Sequence, residues 1–341
     1  MTEKDKEGAK QKSTDEILEE KTGNFRLPYC IYVAAKLGIA DLLKDGPKGF
    51  EEIARAVEAN PRGVLRLLQR LSKEGIFCEL EHGHFGLTPT ASLLQTGGWR
   101  ERVIVWFEDW VPVEQQLLYT VKTGKSAFNQ VHGMGLYEYA AENPTFDADF
   151  EASMSEGTKR VAKALIDSYG FSGSNKVVDV GGGHGVLISS VLKANPKLEG
   201  ILFDRPLVVQ GAIRILAAEG VEHRCELVGG DFFKSVPKGG DIYLLKSVLD
   251  DWEDDAAIQI LTNIRAAMNH RRGKLLLIER LMNENNQSSE AKSADLNLML
   301  VGRGRVRKET EISGLLAKAG FKQNHILATQ SSWSIIEANP V

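Results

Sequence analysis

The chain has 341 residues, 43% of them hydrophobic and 26% charged, a globular composition with length for two domains of roughly 100–200 residues each. Its net charge of −4 supplies no whole-molecule field that would collect nucleic acid or anionic membrane, so polyanionic partners are not expected. The three cysteines, Cys30, Cys78 and Cys225, lie far apart and outside any CxxC pair, which fits a reducing compartment rather than a disulfide framework or zinc cluster.

The opening MTEKDKEGAKQKST is charged and has no apolar core of the signal-peptide kind, and no run approaches the roughly 20 apolar residues of a membrane span. Residues 1–15 therefore read as a disordered tail, and the protein as cytoplasmic. Residues 16–98 follow with three helical patterns and the alternating ribbon CELEHGHFGLT, a winged-helix order. Asn60 with Pro61 behind it marks a helix start, an N-cap followed by proline at the first helical position. Arg62, Arg66 and Arg70 then fall at i, i+4, i+8 on one face, as a DNA-reading helix would place them. Against that stand eight basic and eight acidic residues between Lys36 and Glu81, which leave no net positive footprint.

Residues 99–170 read as long helices rich in large apolar side chains, a helical layer between two domains. Phe146, Phe150 and Met154 recur at i, i+4, i+8, one helical face that serves equally as core or as pocket lining.

From residue 171 the pattern alternates strand and helix. Strands are expected at Val177–Val180, Gly200–Phe203, Cys225–Val228, Ile242–Val248 and Lys274–Ile278, with helices at His184–Ala194, Leu207–Ala218, Glu253–Met268 and Glu309–Ala319. This alternation implies a parallel, doubly wound sheet with its ligand beyond the carboxyl ends of the strands. The last two strands, HILAT and WSIIEA, have no helix between them and should pair antiparallel at an edge.

VVDVGGGHGVL is a strand that stops at a glycine turn and opens a helix, where free N–H groups and close backbone approach suit a nucleotide-like ligand. Asp179, Gly181, Gly183 and Gly185 fall at even spacing, unlike the G-x-G-x-x-G of dinucleotide sites, and no P-loop lysine follows. That favours S-adenosylmethionine over NAD. Asp204 ends the next strand, where a carboxylate can accept both ribose hydroxyls. Asp231 follows the third strand, placed to accept from an adenine amine while Phe232 covers the ring. The bland alternative for each acid is a helix N-cap.

With YEYAAENPTFDADFEASM, VVDVGGGHG, FDRPLVV, GGDFF, LLKSVLDDWEDD and LLAKAGF, the chain resembles, over nearly its whole length, the S-adenosylmethionine-dependent O-methyltransferases of the plant caffeate and bacterial hydroxyneurosporene, polyketide and acetylserotonin type. The resemblance implies an α/β fold: a Rossmann-like seven-stranded class I methyltransferase domain over 171–341, preceded by an α-helical winged-helix-like dimerisation domain. It also implies a homodimer, S-adenosyl-L-homocysteine as product, and a small aromatic or polyketide-like acceptor roofed by the helices of 99–170. Carried over position by position, Thr158, Asp179, Gly181, Gly183, Asp204, Asp231, Phe232 and Lys246 would hold the cofactor. Trp110, Phe146, Phe150, Met154, Trp252, Leu296, Asn297 and Leu300 would line the acceptor pocket.

The departures bear on the chemistry. Most of the family has HDW where this chain has Asp250, Asp251 and Trp252, so the usual histidine base is missing. Glu279 fits one of the two glutamates that orient that histidine, and Val306 occupies the other's place. As a metal site DDWEDD is poorly arranged, because Asp254 and Asp255 belong to a helix's first turn. As a phenol base an ordinary Asp250 faces about six pKa units, roughly 8 kcal/mol, against about 5 kcal/mol for a histidine. Burial beside Glu279 would narrow that gap by raising a carboxyl's pKa. His132, a lone histidine in the helical layer, is a weaker substitute. Asp250 is therefore expected to position the acceptor or assist modestly while alignment supplies most of the rate. Carbon or nitrogen methylation, a repurposed relative without methyl chemistry, and a cofactor-sensing DNA-binding regulator are the competing readings.

Overall fold

The computed structural model describes residues 12–23, 25–268, 273–282, 289–329 and 332–341. The chain divides into two compact units at Pro112/Val113. Most of the expected tail, residues 1–11, lies outside the described residues. A helix begins already at Thr14, before the expected end of the tail, and runs to Gly23. Ser13 caps it: Glu16 accepts from the Ser13 N–H at 2.7 Å, and the Ser13 hydroxyl accepts from the Glu16 N–H at 3.2 Å.

The first unit contains helices Arg26–Lys36, Ile39–Leu42, Phe50–Ala56 and Pro61–Lys73, with strands β1 (Lys48–Gly49), β2 (Phe77–Glu79) and β3 (His84–Leu87) in an antiparallel sheet of order β1-β3-β2. The Asn60 side chain accepts from the Gly63 N–H at 3.1 Å, the N-cap read from the sequence. Behind that cap Val64, Leu68 and Leu71 enter a core with Ile39, Ile53, Phe77 and Phe85. Arg62 and Arg66 are exposed, and Arg70 pairs with Glu74 on its own helix.

The compact unit continues past residue 98, where the dimerisation domain is expected to end, to Pro112. Helix Arg100–Val105 and the π-helical turn Trp106–Trp110 belong to it because their side chains are tied there. Arg100 Nε donates to the Ala35 carbonyl at 2.9 Å, Phe107 stacks on Tyr32 at 4.9 Å, and Glu108 pairs with Lys36 at 2.5 Å. The next stretch is also not the run of long helices expected. Leu117–Thr123 and Ala127–His132 each stop at a left-handed glycine, Gly124 (φ 65°) and Gly133 (φ 77°). Only after Leu136–Glu142 does one long helix form, Pro144–Ser168.

In the second unit the strands are β4 (Lys176–Val180), β5 (Glu199–Asp204), β6 (Cys225–Gly229), β7 (Ile242–Lys246), β8 (Lys274–Glu279), β9 (Phe321–Ala328) and β10 (Ser334–Pro340). Among the described residues they form a seven-stranded sheet of order β6-β5-β4-β7-β8-β10-β9. β6 through β8 run parallel, and β10 is antiparallel to both β8 and the edge strand β9, as the missing helix between the last two strands required. Both faces are covered, so the strands read as unbroken apolar runs. Val178, Tyr243, Leu245 and Leu277 pack under helices Asp254–Ala267 and Glu309–Lys318. Val177, Ile242, Leu244 and Ile278 pack under Val186–Ala194, Pro206–Ala218 and the end of Pro144–Ser168. The chain leaves β4 toward β5 and β6 and returns on the other side at β7, so a crevice opens at the carboxyl ends of β4 and β7.

Candidate active site

At the end of β4, Gly181, Gly183 and Gly185 all take left-handed φ (70°, 57° and 78°), so the helix starts at Val186, two residues later than read. A Cβ on Gly183 would meet nothing within 4 Å, so its backbone faces open space that a ligand can enter. Gly182, which the even spacing passed over, is the glycine that packing demands. A Cβ there would lie 2.4 Å from Leu202 and 2.6 Å from the Asp179 carboxylate. Asp204 Oδ2 accepts from the Gly183 N–H at 2.8 Å and Oδ1 from the Arg205 N–H at 2.7 Å. It thus props up the glycine turn and keeps further lone pairs for ribose hydroxyls. Asp231 caps its own turn through Phe233 N–H at 2.9 Å, the bland role, yet its carboxylate is exposed. Phe232 is half-buried near Gly181 and meets Phe233 edge-on at 4.9 Å.

At the carboxyl ends of β4, β7 and β8, four carboxyl or guanidine groups hold buried polar atoms without a hydrogen-bond partner: Asp179 Oδ2, Asp250 Oδ1, Glu279 Oε2 and Arg280 Nε. Asp179 is pushed up to about 7 by burial and then by the charge of Asp204. Lys246, at the end of β7, hydrogen-bonds the Thr158 hydroxyl at 3.2 Å, and its pKa falls through burial against the opposing pull of Asp250 and Glu279. Glu279 accepts from the N–H groups of Val248 and Leu249 at 3.3 and 3.2 Å. Burial raises it well above the carboxylate range, and Asp250 adds to that. β7 stops at Lys246, short of the expected Val248, because Ser247 adopts φ 50°, a left-handed strain at the site for a residue with a Cβ.

The segment after β7 separates the DDWEDD acids. Asp254 opens its helix as expected, but its carboxylate takes Arg307 at 2.9 Å and Arg305 at 3.3 Å, which lowers its pKa. Arg307 is 2% exposed and also donates to the carbonyls of Leu249 and Trp252, each at 2.6 Å. Asp250 is buried, raised by that burial and restrained by Lys246 and Arg280. Asp251 instead opens onto a cavity of about 1020 Å³ and accepts from the Tyr137 hydroxyl at 2.7 Å. Burial and then the Asp250 charge push it up to about 7. The like-charge effect expected between Asp250 and Glu279 is present, second to burial, and reaches Asp251 as well.

Of the acceptor-pocket residues expected in this unit, Trp252 is on the wall of this cavity, together with Leu298, Val301, Tyr119 and Gln130. Phe146 is 2% exposed and locked among Phe128, Tyr139 and Phe150, so that end of the stripe is core. Phe150 stacks on Phe146 and touches Tyr137 edge-on, while Met154 is exposed. Along helix Ser289–Val301, Leu300 is buried and Leu296 and Asn297 face outward, a different phase from the cavity-facing Leu298 and Val301. His132 packs its ring on Phe128 and Tyr139 and is not on the wall of this cavity. Trp110 belongs to the first unit, at the end of the π-helical turn. Val306 is buried, and its N–H is taken by Asp295 at 2.8 Å. Tyr137, Arg280 and Arg307 were missed. GRGRVRK carried a signal for the last: arginines at alternate positions of an extended segment share one side, facing the acids of WEDD. Among the described residues no group of three or more His, Cys, Asp or Glu is arranged to hold a metal ion.

Residues 115–322 match the O-methyltransferase domain family, and residues 20–97 match the O-methyltransferase dimerisation domain family. The chain is 39% identical to the phenazine O-methyltransferase of Lysobacter antibioticus, with 100% of both chains covered. It is 32% identical to the 8-amino-8-demethylriboflavin N,N-dimethyltransferase of Streptomyces davaonensis, with 92% of each covered. A solved O-methyltransferase from neocarzinostatin biosynthesis, in complex with S-adenosylmethionine and 2-hydroxy-5-methyl naphthoic acid, gives a TM-score of 0.79 at 28% identity, covering 92% of this chain and 96% of that one.

Proposed function

Because this chain belongs to the S-adenosylmethionine-dependent O-methyltransferase family with an N-terminal dimerisation domain, we propose that it methylates a hydroxyl oxygen of a small, planar aromatic or polyketide-like metabolite held in the cavity beside Asp251 and Trp252. The chain is a methyltransferase that uses S-adenosylmethionine. The observation that carries the acceptor reading is a cavity of about 1020 Å³ whose wall includes Arg205, the residue after the β5-end carboxylate Asp204 that holds the glycine turn at Gly183. A cavity of that size suits a fused-ring acceptor.

The residues present fit the cofactor. The unpartnered carboxylate atoms of Asp179, Asp250 and Glu279 suit its cationic groups, Lys246 with Thr158 suits its carboxylate, Asp204 and Asp231 suit ribose and adenine, and Phe232 suits the ring face. The bound cofactor supplies an electrophilic methyl group, so the protein's own work is alignment and the exclusion of water.

The dimerisation-domain match supports a homodimer, and so does a stripe of exposed apolar residues on the first unit, Phe25, Tyr29 and Val33 at i, i+4, i+8. In that reading the winged-helix order is a scaffold and binds no DNA. No helix among the described residues is long and apolar enough to cross a membrane, and a cytoplasmic location belongs with the same reading. The missing histidine base and the N-methylating relative favour a nitrogen acceptor as the second reading. Incubation with [methyl-13C]S-adenosylmethionine and a panel of hydroxylated phenazines, naphthoates and aminobenzoates tests both: the product's methyl signal reports oxygen or nitrogen, and the absence of any labelled product would reject the proposal.

A further inference from the structure

We infer that Asp251, held by the Tyr137 hydroxyl, is the group that takes the acceptor's proton, and that Tyr137 is its positioning residue. The inference rests on the methyl-transfer reading above. Both residues are on the cavity wall, and the Tyr137 hydroxyl donates to Asp251 Oδ2 at 2.7 Å. Asp250, at the position where the family has its histidine, is not on that wall. Its carboxyl is buried among the charges of Lys246, Arg280 and Arg307. An acceptor in the cavity therefore meets Asp251 and not Asp250.

The groups facing Asp251 are Asp250 beside it in the chain, Lys246 from the end of β7, Tyr137 from helix Leu136–Glu142 and Glu279 from the end of β8. Arg205 lies over the Tyr137 ring at 5.2 Å, and Glu253 and Arg303 share the cavity wall. Burial and Asp250 raise the Asp251 carboxyl to about 7, against the opposing effects of Tyr137 and Lys246. That puts it about three pKa units below a phenol near 10, instead of about six for an unperturbed aspartate. It occupies the range in which a histidine would operate. Ionised Asp251 accepts the hydroxyl proton as the acceptor oxygen bonds to the methyl carbon and the carbon–sulfur bond breaks. The electron pair of that bond stays on sulfur, the sulfonium becomes a neutral thioether, and Asp251 later returns the proton to solvent.

The signs of the perturbations follow. Tyr137→Phe keeps the ring and removes a donor that favours the charged carboxylate, so the Asp251 pKa rises. Asp250→Asn removes a negative neighbour, so it falls. These shifts are electrostatic and follow whatever role Asp251 has, so it is the matching movement of the acidic limb of kcat/KM that separates a proton acceptor from a structural pair. Two measurements on the full-length protein decide the matter. In the first, 13C-aspartate-labelled protein without cofactor or acceptor is titrated by NMR. A carboxyl resonance midpoint near 7 is expected, absent in Asp251→Asn, higher in Tyr137→Phe and lower in Asp250→Asn. A midpoint near 4 for the resonance lost in Asp251→Asn would overturn the inference. In the second, kcat/KM is followed against pH with 1,4-dihydroxy-2-naphthoic acid and 3-amino-4-hydroxybenzoate as probes. Asp251→Asn is expected to lose about 10²–10⁴-fold with S-adenosylmethionine affinity unchanged. The acidic limb is expected to move up in Tyr137→Phe and down in Asp250→Asn. Activity of Asp251→Asn within about threefold of the parent would refute the proton-acceptor role. Methylation of neither probe would count against the acceptor class and leave the NMR midpoint to decide on Asp251.

Discussion

Replacing Arg307 by methionine probes what holds the catalytic segment in place. The guanidinium is 2% exposed and donates to the carbonyls of Leu249 and Trp252 at 2.6 Å each and to Asp254 at 2.9 Å. Two charge-assisted bonds to backbone carbonyls contribute about 1.5–3 kcal/mol each. The Asp254 side chain is 48% exposed, so its pairing adds at most about 1 kcal/mol. Methionine fills similar volume and recovers about 1–2 kcal/mol by apolar burial. The net loss expected for Arg307→Met is about 1–6 kcal/mol, most of it from carbonyls left without a donor. Urea unfolding at fixed protein concentration measures it, since any oligomer makes stability depend on concentration. The same variant should lose methyl transfer, because the clamped carbonyls flank Asp250 and Asp251. A change within about 0.5 kcal/mol would show that Arg307 does not hold this segment and would refute the reasoning.

Asp204→Ala should weaken S-adenosylmethionine binding by about 1.5–3 kcal/mol in calorimetry, through lost ribose contacts and a loosened Gly183. Asp179 has a folded pKa raised to about 7, so its ionisation opposes folding as pH rises from its unfolded value through 7. Asp179→Asn should therefore stabilise the cofactor-free protein by an amount that grows between pH 4 and 7 and levels off at about 4 kcal/mol, read as the mutant-minus-parent difference in Tm. Gains equal at pH 4 and pH 8 would contradict it. Light scattering across dilution should find a dimer, and Phe25→Glu with Tyr29→Glu should shift it toward monomer. Gel shifts with mixed duplex DNA at physiological salt should show no binding by Arg62 and Arg66.

Local signals carried the parts of the fold that depend on neighbours in sequence. The Asn60–Pro61 cap and the alternation of strands and helices are set by residues within one turn or one strand, and the elements given bounds are found within a residue or two of their expected place, except that β9 begins at Phe321, four residues before HILAT. The strand ends that carry Asp204 and Lys246 were legible within a residue or two. The site was illegible where contacts span the chain. Tyr137 meets Asp251 across 114 positions, and nothing near either residue announces the other. Gly182 is required by a side chain of the neighbouring strand, so spacing within the loop could not single it out. Helix phase is illegible for a related reason. An apolar helix such as Ser289–Val301, with Leu296, Leu298, Leu300 and Val301, has more than one face able to line a cavity, and only packing selects it.

The central claim is that the crevice at the carboxyl ends of β4 and β7 transfers a methyl group to an acceptor resting against Asp251 and Trp252. The most direct test is a single-turnover reaction of the full-length protein with [methyl-13C]S-adenosylmethionine and the acceptor panel, followed by NMR of the product. The account predicts one new methyl resonance on an acceptor oxygen and a stoichiometric yield of S-adenosyl-L-homocysteine, both abolished on the same time scale by Asp251→Asn. Cofactor that binds tightly and is recovered unreacted with every acceptor, or a methylated product formed equally fast by Asp251→Asn, would contradict it.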